Sequence, residues 1–152
     1  MHTILVVEDS KFLKIANERI LSKAGYQVVG ATDGEEALRI AGDRHPDLIL
    51  LDMMLPKMGG LEVLQSLKRN PATTQIPVII LTSLSQKNEG KLCQAGAFAF
   101  VEKGSLLDNP RLLLGAIEQA LRNGGSQHTQ EQSAQALLPV PGVEPNENYK
   151  PC

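Results

Sequence analysis

Five short apolar runs recur along the chain: Ile4-Leu5-Val6-Val7, Val28-Val29-Gly30-Ala31, Leu48-Ile49-Leu50-Leu51, Val78-Ile79-Ile80-Leu81 and Phe98-Ala99-Phe100-Val101. Runs this short, with little polar interruption, read as strands buried on both faces. Between them lie longer stretches in which apolar residues fall three or four positions apart, the helical period. Regular alternation of the two patterns is the signature of βαβ units around a parallel sheet. The expected strands are Thr3–Val7, Val28–Ala31, Asp47–Leu51, Val78–Leu81 and Phe98–Val101.

Stop and start signals bracket the helices. Ser10 suits the N-cap of a first helix with Phe12, Ile15, Ala16 and Ile20 on its buried face, ended by Gly25. Asp33 caps a second helix, with Glu36 at capping-box spacing. Leu61, Leu64 and Leu67 mark a third, stopped by Asn70-Pro71, and Ser85 can open a fourth that ends near Ala95-Gly96. Asn109-Pro110 reads as N-cap and first turn of a last helix carrying Leu113, Ile117 and Leu121, closed by Gly124-Gly125.

Beyond that helix the composition changes. Residues 125–152 are rich in Gln, Ser, Pro, Glu and Asn, and Pro139, Pro141, Pro145 and Pro151 exclude a long helix. The expected organisation is a folded domain over residues 1–124 and a flexible Pro/Gln-rich tail over 125–152, with Leu137-Leu138-Pro139-Val140 as its one apolar docking stretch. The chain's 152 residues suffice for one domain with a full core. Lys+Arg number 15 against Asp+Glu 17, with no basic run, which argues against a direct nucleic-acid partner. The apolar runs are too short to cross a bilayer. Cys93 and Cys152 match neither a disulfide framework nor a metal spacing, so free thiols and a cytoplasmic location are expected.

The chemistry gathers at the strand ends. Glu8 and Asp9 follow the first strand, Asp52 the third, Thr82 the fourth and Lys103 the fifth. In open α/β sheets, ligands bind beyond the carboxyl ends of the strands. Two carboxylates ~4 Å apart repel by roughly 4 kcal/mol at an effective dielectric of ~20. A hard cation with oxygen ligands, Mg²⁺, would relieve that crowding. Asp52 could then attack phosphorus, while the metal, Lys103 and the Thr82 hydroxyl stabilise charge on the phosphoryl oxygens. Singly, each residue has a plainer reading: a solvated helix entrance for Glu8-Asp9, a turn former for Asp52, a cap for Thr82 and a surface charge for Lys103. Their shared placement is what points to a site.

Four stretches carry a family resemblance: Ile4-Leu5-Val6-Val7-Glu8-Asp9-Ser10, Leu50-Leu51-Asp52-Met53-Met54-Leu55-Pro56-Lys57-Met58-Gly59-Gly60, Pro77-Val78-Ile79-Ile80-Leu81-Thr82-Ser83 and Ala95-Gly96-Ala97-Phe98-Ala99-Phe100-Val101-Glu102-Lys103. Over residues 3–123 the chain resembles the receiver domain of two-component response regulators, in its stand-alone, chemotaxis-regulator-like form. The resemblance implies a doubly wound, flavodoxin-like five-stranded parallel sheet of order 2-1-3-4-5 with helices on both faces. It implies that Asp52 takes a phosphoryl group from a histidine kinase or phosphotransfer protein, and that Glu8, Asp9, Asp52 and the Met54 carbonyl hold Mg²⁺. Thr82 and Lys103 would contact the phosphoryl oxygens, and Thr82 and Phe100 would form a switch pair. The downstream protein target would bind the face made by the fourth helix, the fifth strand and the fifth helix, with homodimerisation left open. Such a protein is no enzyme beyond its own aspartyl phosphorylation and dephosphorylation.

Two positions depart from the pattern. Gly104 follows Lys103 where the family usually has proline, and Phe100 stands where tyrosine is commoner. Rival readings fit less well. An aspartyl-phosphate hydrolase needs an acid/base two residues after the nucleophile, and Met54 is there. A nucleotide-binding domain needs a glycine-rich loop after the first strand, and Glu8-Asp9-Ser10-Lys11-Phe12 has no glycine. A receiver-like interaction module would normally lack one of the acids or the lysine, and all are present.

Overall fold

The computed structural model describes residues 2–82, 89–103, 108–124 and 149–152. Strands β1 (Thr3–Val7), β2 (Gln27–Ala31), β3 (Leu48–Asp52), β4 (Val78–Thr82) and β5 (Ala99–Glu102) alternate with helices α1 (Lys11–Lys23), α2 (Gly34–Arg44), α3 (Gly60–Arg69), α4 (Glu89–Gln94) and α5 (Pro110–Gly124). The five strands are all parallel and lie in the order 2-1-3-4-5. The fold is therefore the expected doubly wound sheet. The predicted elements are all present where residues are described; Ser85 and Gly104 lie outside them.

Strand pleating explains why the runs are apolar throughout. Ile4, Val6, Leu48, Leu50, Ile79, Leu81, Ala99 and Val101 face one layer, against Leu21 of α1 and Leu112, Leu113, Ala116, Ile117 and Ala120 of α5. Leu5, Val7, Ile49, Leu51, Val78, Ile80 and Phe100 face the other, against Ala37 and Ala41 of α2, Val63, Leu64 and Leu67 of α3, and Leu92 of α4. Both faces are covered, so alternate residues are equally apolar. The helix ends follow their side chains. Ser10 Oγ accepts from Leu13 N at 3.4 Å, and Asp33 Oδ1 accepts from Glu36 N at 2.9 Å. The Glu36 carboxylate accepts from the Thr32 hydroxyl at 3.1 Å, so only the Asp33 half of the capping box is seen. Lys68 closes the end of α3 onto the entry to β4, donating to the Thr74 and Ile76 carbonyls at 3.0 and 2.8 Å.

The face of α1 corrects one expectation. Phe12 and Ile15 are exposed, at 67% and 49%, while Asn17 and Leu21 are buried. Apolar residues surround this helix, so two faces compete in the pattern. The chosen face includes a polar residue, Asn17, and periodicity of apolar residues cannot select it.

The tail corrects two more. Tyr149–Pro151 forms a sixth strand, β6, antiparallel to β5, with Ala99 opposite Pro151 and Phe100 opposite Lys150. Cys152 N donates to the Phe98 carbonyl at 3.0 Å. The cysteines expected to be free thiols are joined: Cys93 of α4 and Cys152 form a disulfide with Cα atoms 5.4 Å apart. The pair is invisible in the sequence because its members lie 59 positions apart and only the sheet brings them together. Closing a loop of that length removes unfolded-chain entropy worth about 4 kcal/mol in the chain-entropy model.

Cys152→Ser is therefore expected to lower the thermal midpoint in oxidising buffer by about 5–15 °C, from ~2–4 kcal/mol of lost stabilisation. Calorimetry with and without dithiothreitol checks this, since reductant should bring the unsubstituted chain down to the same midpoint.

Candidate functional site

The site lies where β1, β3, β4 and β5 end. Pairing sets the levels: Val7 is opposite Leu51, Asp52 opposite Leu81, and Thr82 opposite Glu102. The residues just past these positions therefore emerge along one edge. Parity decides which of them meet. Glu8, Asp52 and Lys103 continue the alternation of Val6, Leu50 and Val101, so they leave the sheet on the same side. Thr82 and Phe100 continue the alternation of Ile80 and lean toward the other side.

The structure brings Glu8, Asp9, Asp52 and Lys103 together. Carboxylate oxygens of Glu8, Asp9 and Asp52 lie within 4.8 Å of one another. Glu8 and Asp52 are buried and Asp9 is exposed. Lys103 Nζ donates to Asp52 Oδ2 at 2.9 Å and to Glu8 Oε1 at 3.3 Å. The backbone places that lysine: Lys103 N donates to the Thr82 carbonyl at 2.7 Å, extending the β4–β5 ladder by one rung. Asp52 Oδ1 accepts from Met54 N at 3.0 Å, and Glu8 Oε1 accepts from Ser10 N at 3.2 Å.

The turn after Asp52 is held close to the sheet. Lys57 adopts a left-handed conformation at φ 68°, and Gly60 N donates to the Met53 carbonyl at 3.1 Å. A Cβ on Gly60 would stand 2.8 Å from Met53 Cα and 3.0 Å from the Asp52 carbonyl. The second glycine of Met58-Gly59-Gly60 is thus a contact requirement, since α3 starts against the backbone that aims Asp52.

The electrostatics are those of crowded acids short of positive charge. Burial, then the Asp52 charge, push the Glu8 carboxyl up from 4.5 to about 7, against the opposing pull of Lys103 and the Ser10 N–H. Burial alone would lower Lys103, but the Asp52 hydrogen bond and the charges of Asp52 and Glu8 outweigh it and raise its pKa. Glu8 Oε2 is buried and lies 3.3 Å from Lys103 Nζ, an ion-pair contact without hydrogen-bond geometry. A buried oxygen held only by that charge, beside two further carboxylates, is a fitting ligand atom for a hard divalent cation.

The remaining predicted residues have distinct places. Thr82 is buried at the end of β4, and Phe100 is buried between Ile80 and the β6 partner Lys150 in the strand register. The Met54 side chain is 73% exposed, leaving its backbone as the part that faces Asp52. Sequence reasoning missed Gly60 as a positioning residue, though its place in the Met58-Gly59-Gly60 run was the available signal.

Comparisons with known proteins bear on the family and the fold. Residues 4–135 match the response regulator receiver domain family. A polar-differentiation response regulator DivK of Brucella ovis is 35% identical over 102 residues, covering 66% of this chain and 83% of that protein. Among solved structures, the signal receiver domain of a signal transduction histidine kinase from Syntrophus aciditrophicus superposes with a TM-score of 0.74 at 32% identity, covering 85% of this chain and 95% of that one. A CheY-like receiver domain protein from Methanospirillum hungatei reaches a TM-score of 0.76 at 27% identity, covering 84% and 99%.

Two outcomes are expected. Because the folded carboxyl of Glu8 holds its proton to higher pH than the unfolded one, the folded state binds more protons between about 4.5 and 7. Metal-free stability should fall as pH rises across that window and level off above it. Urea midpoints in chelator from pH 4 to 8 measure this, and Glu8→Gln should flatten that part of the profile. Gly60→Ala should cost about 1–3 kcal/mol, through overpacking against rigid backbone, in the same denaturation assay.

Proposed function

The chain belongs to the response regulator receiver domain family, and from that membership we propose that it takes a phosphoryl group from a histidine kinase or phosphotransfer protein onto Asp52 and signals to a protein partner. Receiver domains are signalling domains rather than conventional enzymes, and they work between histidine kinases and downstream targets. The observation that carries the reading is Asp52 itself: a carboxylate 1% exposed, 2.9 Å from the Lys103 ammonium and flanked by Glu8 and Asp9. Among the described residues, no helix is long and apolar enough to cross a membrane.

The chemistry is a phosphoryl transfer with little covalent work for the protein beyond the nucleophile. An Asp52 oxygen forms the new O–P bond as the P–N bond to the donor imidazole breaks. The electron pair leaves on the imidazole nitrogen, which takes up a proton. Lys103 exchanges its hydrogen bond to Asp52 Oδ2 for one to a phosphoryl oxygen, where it offsets part of the charge the group brings. The Thr82 hydroxyl supplies a further donor from the end of β4. Glu8, Asp9 and Asp52, with the Met54 carbonyl, would hold Mg²⁺, which supplies neutralising charge to the carboxylates and the phosphoryl oxygens. Met54 cannot act as a proton-transfer group, which leaves hydrolysis of the phosphoaspartate without a dedicated base at that position.

Thr82 and Phe100 share one side of the sheet on neighbouring strands, which supports their reading as a switch pair. When the hydroxyl is drawn toward phosphate, it leaves room on that side for the Phe100 ring. The change would be read on the face of α4, β5 and α5.

Asp52→Asn should abolish phosphate incorporation from acetyl phosphate with Mg²⁺, measured by intact mass or radiolabel. Labelling that persists at another residue would exclude Asp52 as the acceptor. Asp9→Ala should weaken Mg²⁺ binding at least tenfold in a calorimetric titration, and an unchanged affinity would remove these acids as the metal site.

A further inference from the structure

The edge of β5 that would otherwise be open carries β6, and a single covalent bond ties β6 to α4. Three residues offer too few backbone hydrogen bonds to offset the ordering of their own chain, so the short strand needs another hold. The Cys93–Cys152 disulfide provides one. It joins a partly buried cysteine, packed on the α2–α3 side of the sheet, to an exposed one that follows β6 directly. The bond therefore spans the α4–β5 part of the molecule, and its Cys152 sulfur belongs to an exposed residue. Exposed disulfides are the ones most open to exchange with a reductant.

We propose that Cys93–Cys152 is a reducible strap: oxidised, it holds Tyr149–Pro151 along β5, and reduced, it releases them from that strand edge. Release is thiol–disulfide exchange with a dithiol reductant. A reductant thiolate attacks Cys152 Sγ, the S–S bond breaks, and Cys93 leaves as a thiolate that takes a proton. The second reductant thiol resolves the mixed disulfide, so the reductant ends oxidised by two electrons and both cysteines end as thiols. A disulfide oxidant of the glutathione type reverses the sequence.

Once released, β5 presents unpaired N–H and C=O groups along its outer edge. The register carries the effect inward. Lys150 lies opposite Phe100, the buried ring that shares its side of the sheet with Thr82. A strap paired at that residue holds β5 from its outer side, while β4 holds it from the inner side.

Amide hydrogen exchange on the full chain tests the strap directly, comparing protein oxidised with glutathione disulfide and protein reduced with dithiothreitol. Reduction should speed exchange at least tenfold in peptides covering residues 98–102 and 149–152, and leave β1 and β3 unchanged. Cys152→Ser should show the fast pattern without reductant, and Cys93→Ser should match it. Equal exchange in both states would overturn the proposal, because the strand would then stay docked without its bond. Two free thiols by maleimide mass labelling after oxidation would also overturn it, because the bond would not form. Phosphate incorporation in the same samples reads the receiver function separately: its loss in both states would sink that reading while the exchange result still decides the strap.

Discussion

Everything at the carboxyl edge of this sheet depends on one ammonium shared by two buried carboxylates. That ammonium offsets the repulsion between the Glu8 and Asp52 carboxylates. Lys103 reaches both, at 3.3 and 2.9 Å, and its own ionisation is reinforced in return. The balance is incomplete: among the described residues three acids face one base, and Glu8 Oε2 has the Lys103 charge at 3.3 Å but no hydrogen bond. A site left short of positive charge suits a cation. A buried pair of this kind is weak support for stability. Under the proposed function, its value lies in positioning Asp52.

The sheet exists, in this view, to bring that ammonium to those acids. β1 and β3 are neighbours, which sets Glu8 beside Asp52, while β4 and β5 extend the row until Lys103 can reach back across it. Much of this was legible in the residues. Uninterrupted apolar runs marked the strands, polar residues at their ends marked the site, and the pleat places Glu8, Asp52 and Lys103 on one side. Local chemistry was legible too, as at the Ser10 and Asp33 caps.

What escaped the sequence depends on distance or on competition. The face of α1 was obscured because apolar residues surround the helix and the buried position at its centre is Asn17. The role of Gly60 depends on an approach to the Met53 backbone that no pattern of hydrophobicity encodes. The last residues read as solvated because their composition is polar and rich in proline, and composition gives no sign of a three-residue strand whose partner is already folded. Pro151 suits an edge strand, where a missing N–H costs least, but alone it could not distinguish an edge from a tail.

The spacing of the site along the chain carries a consequence for how it comes into being. Lys103 and Glu8 are 95 positions apart, and Lys103 and Asp52 are 51 apart. Parallel pairing admits no hairpin shortcut, so these contacts wait for loop closures whose entropy must be met before any of them forms. A chain with β1 and β3 assembled but β5 still free would carry the acids without their base. The site thus has no local precursor, and its completion coincides with arrival of the last parallel strand.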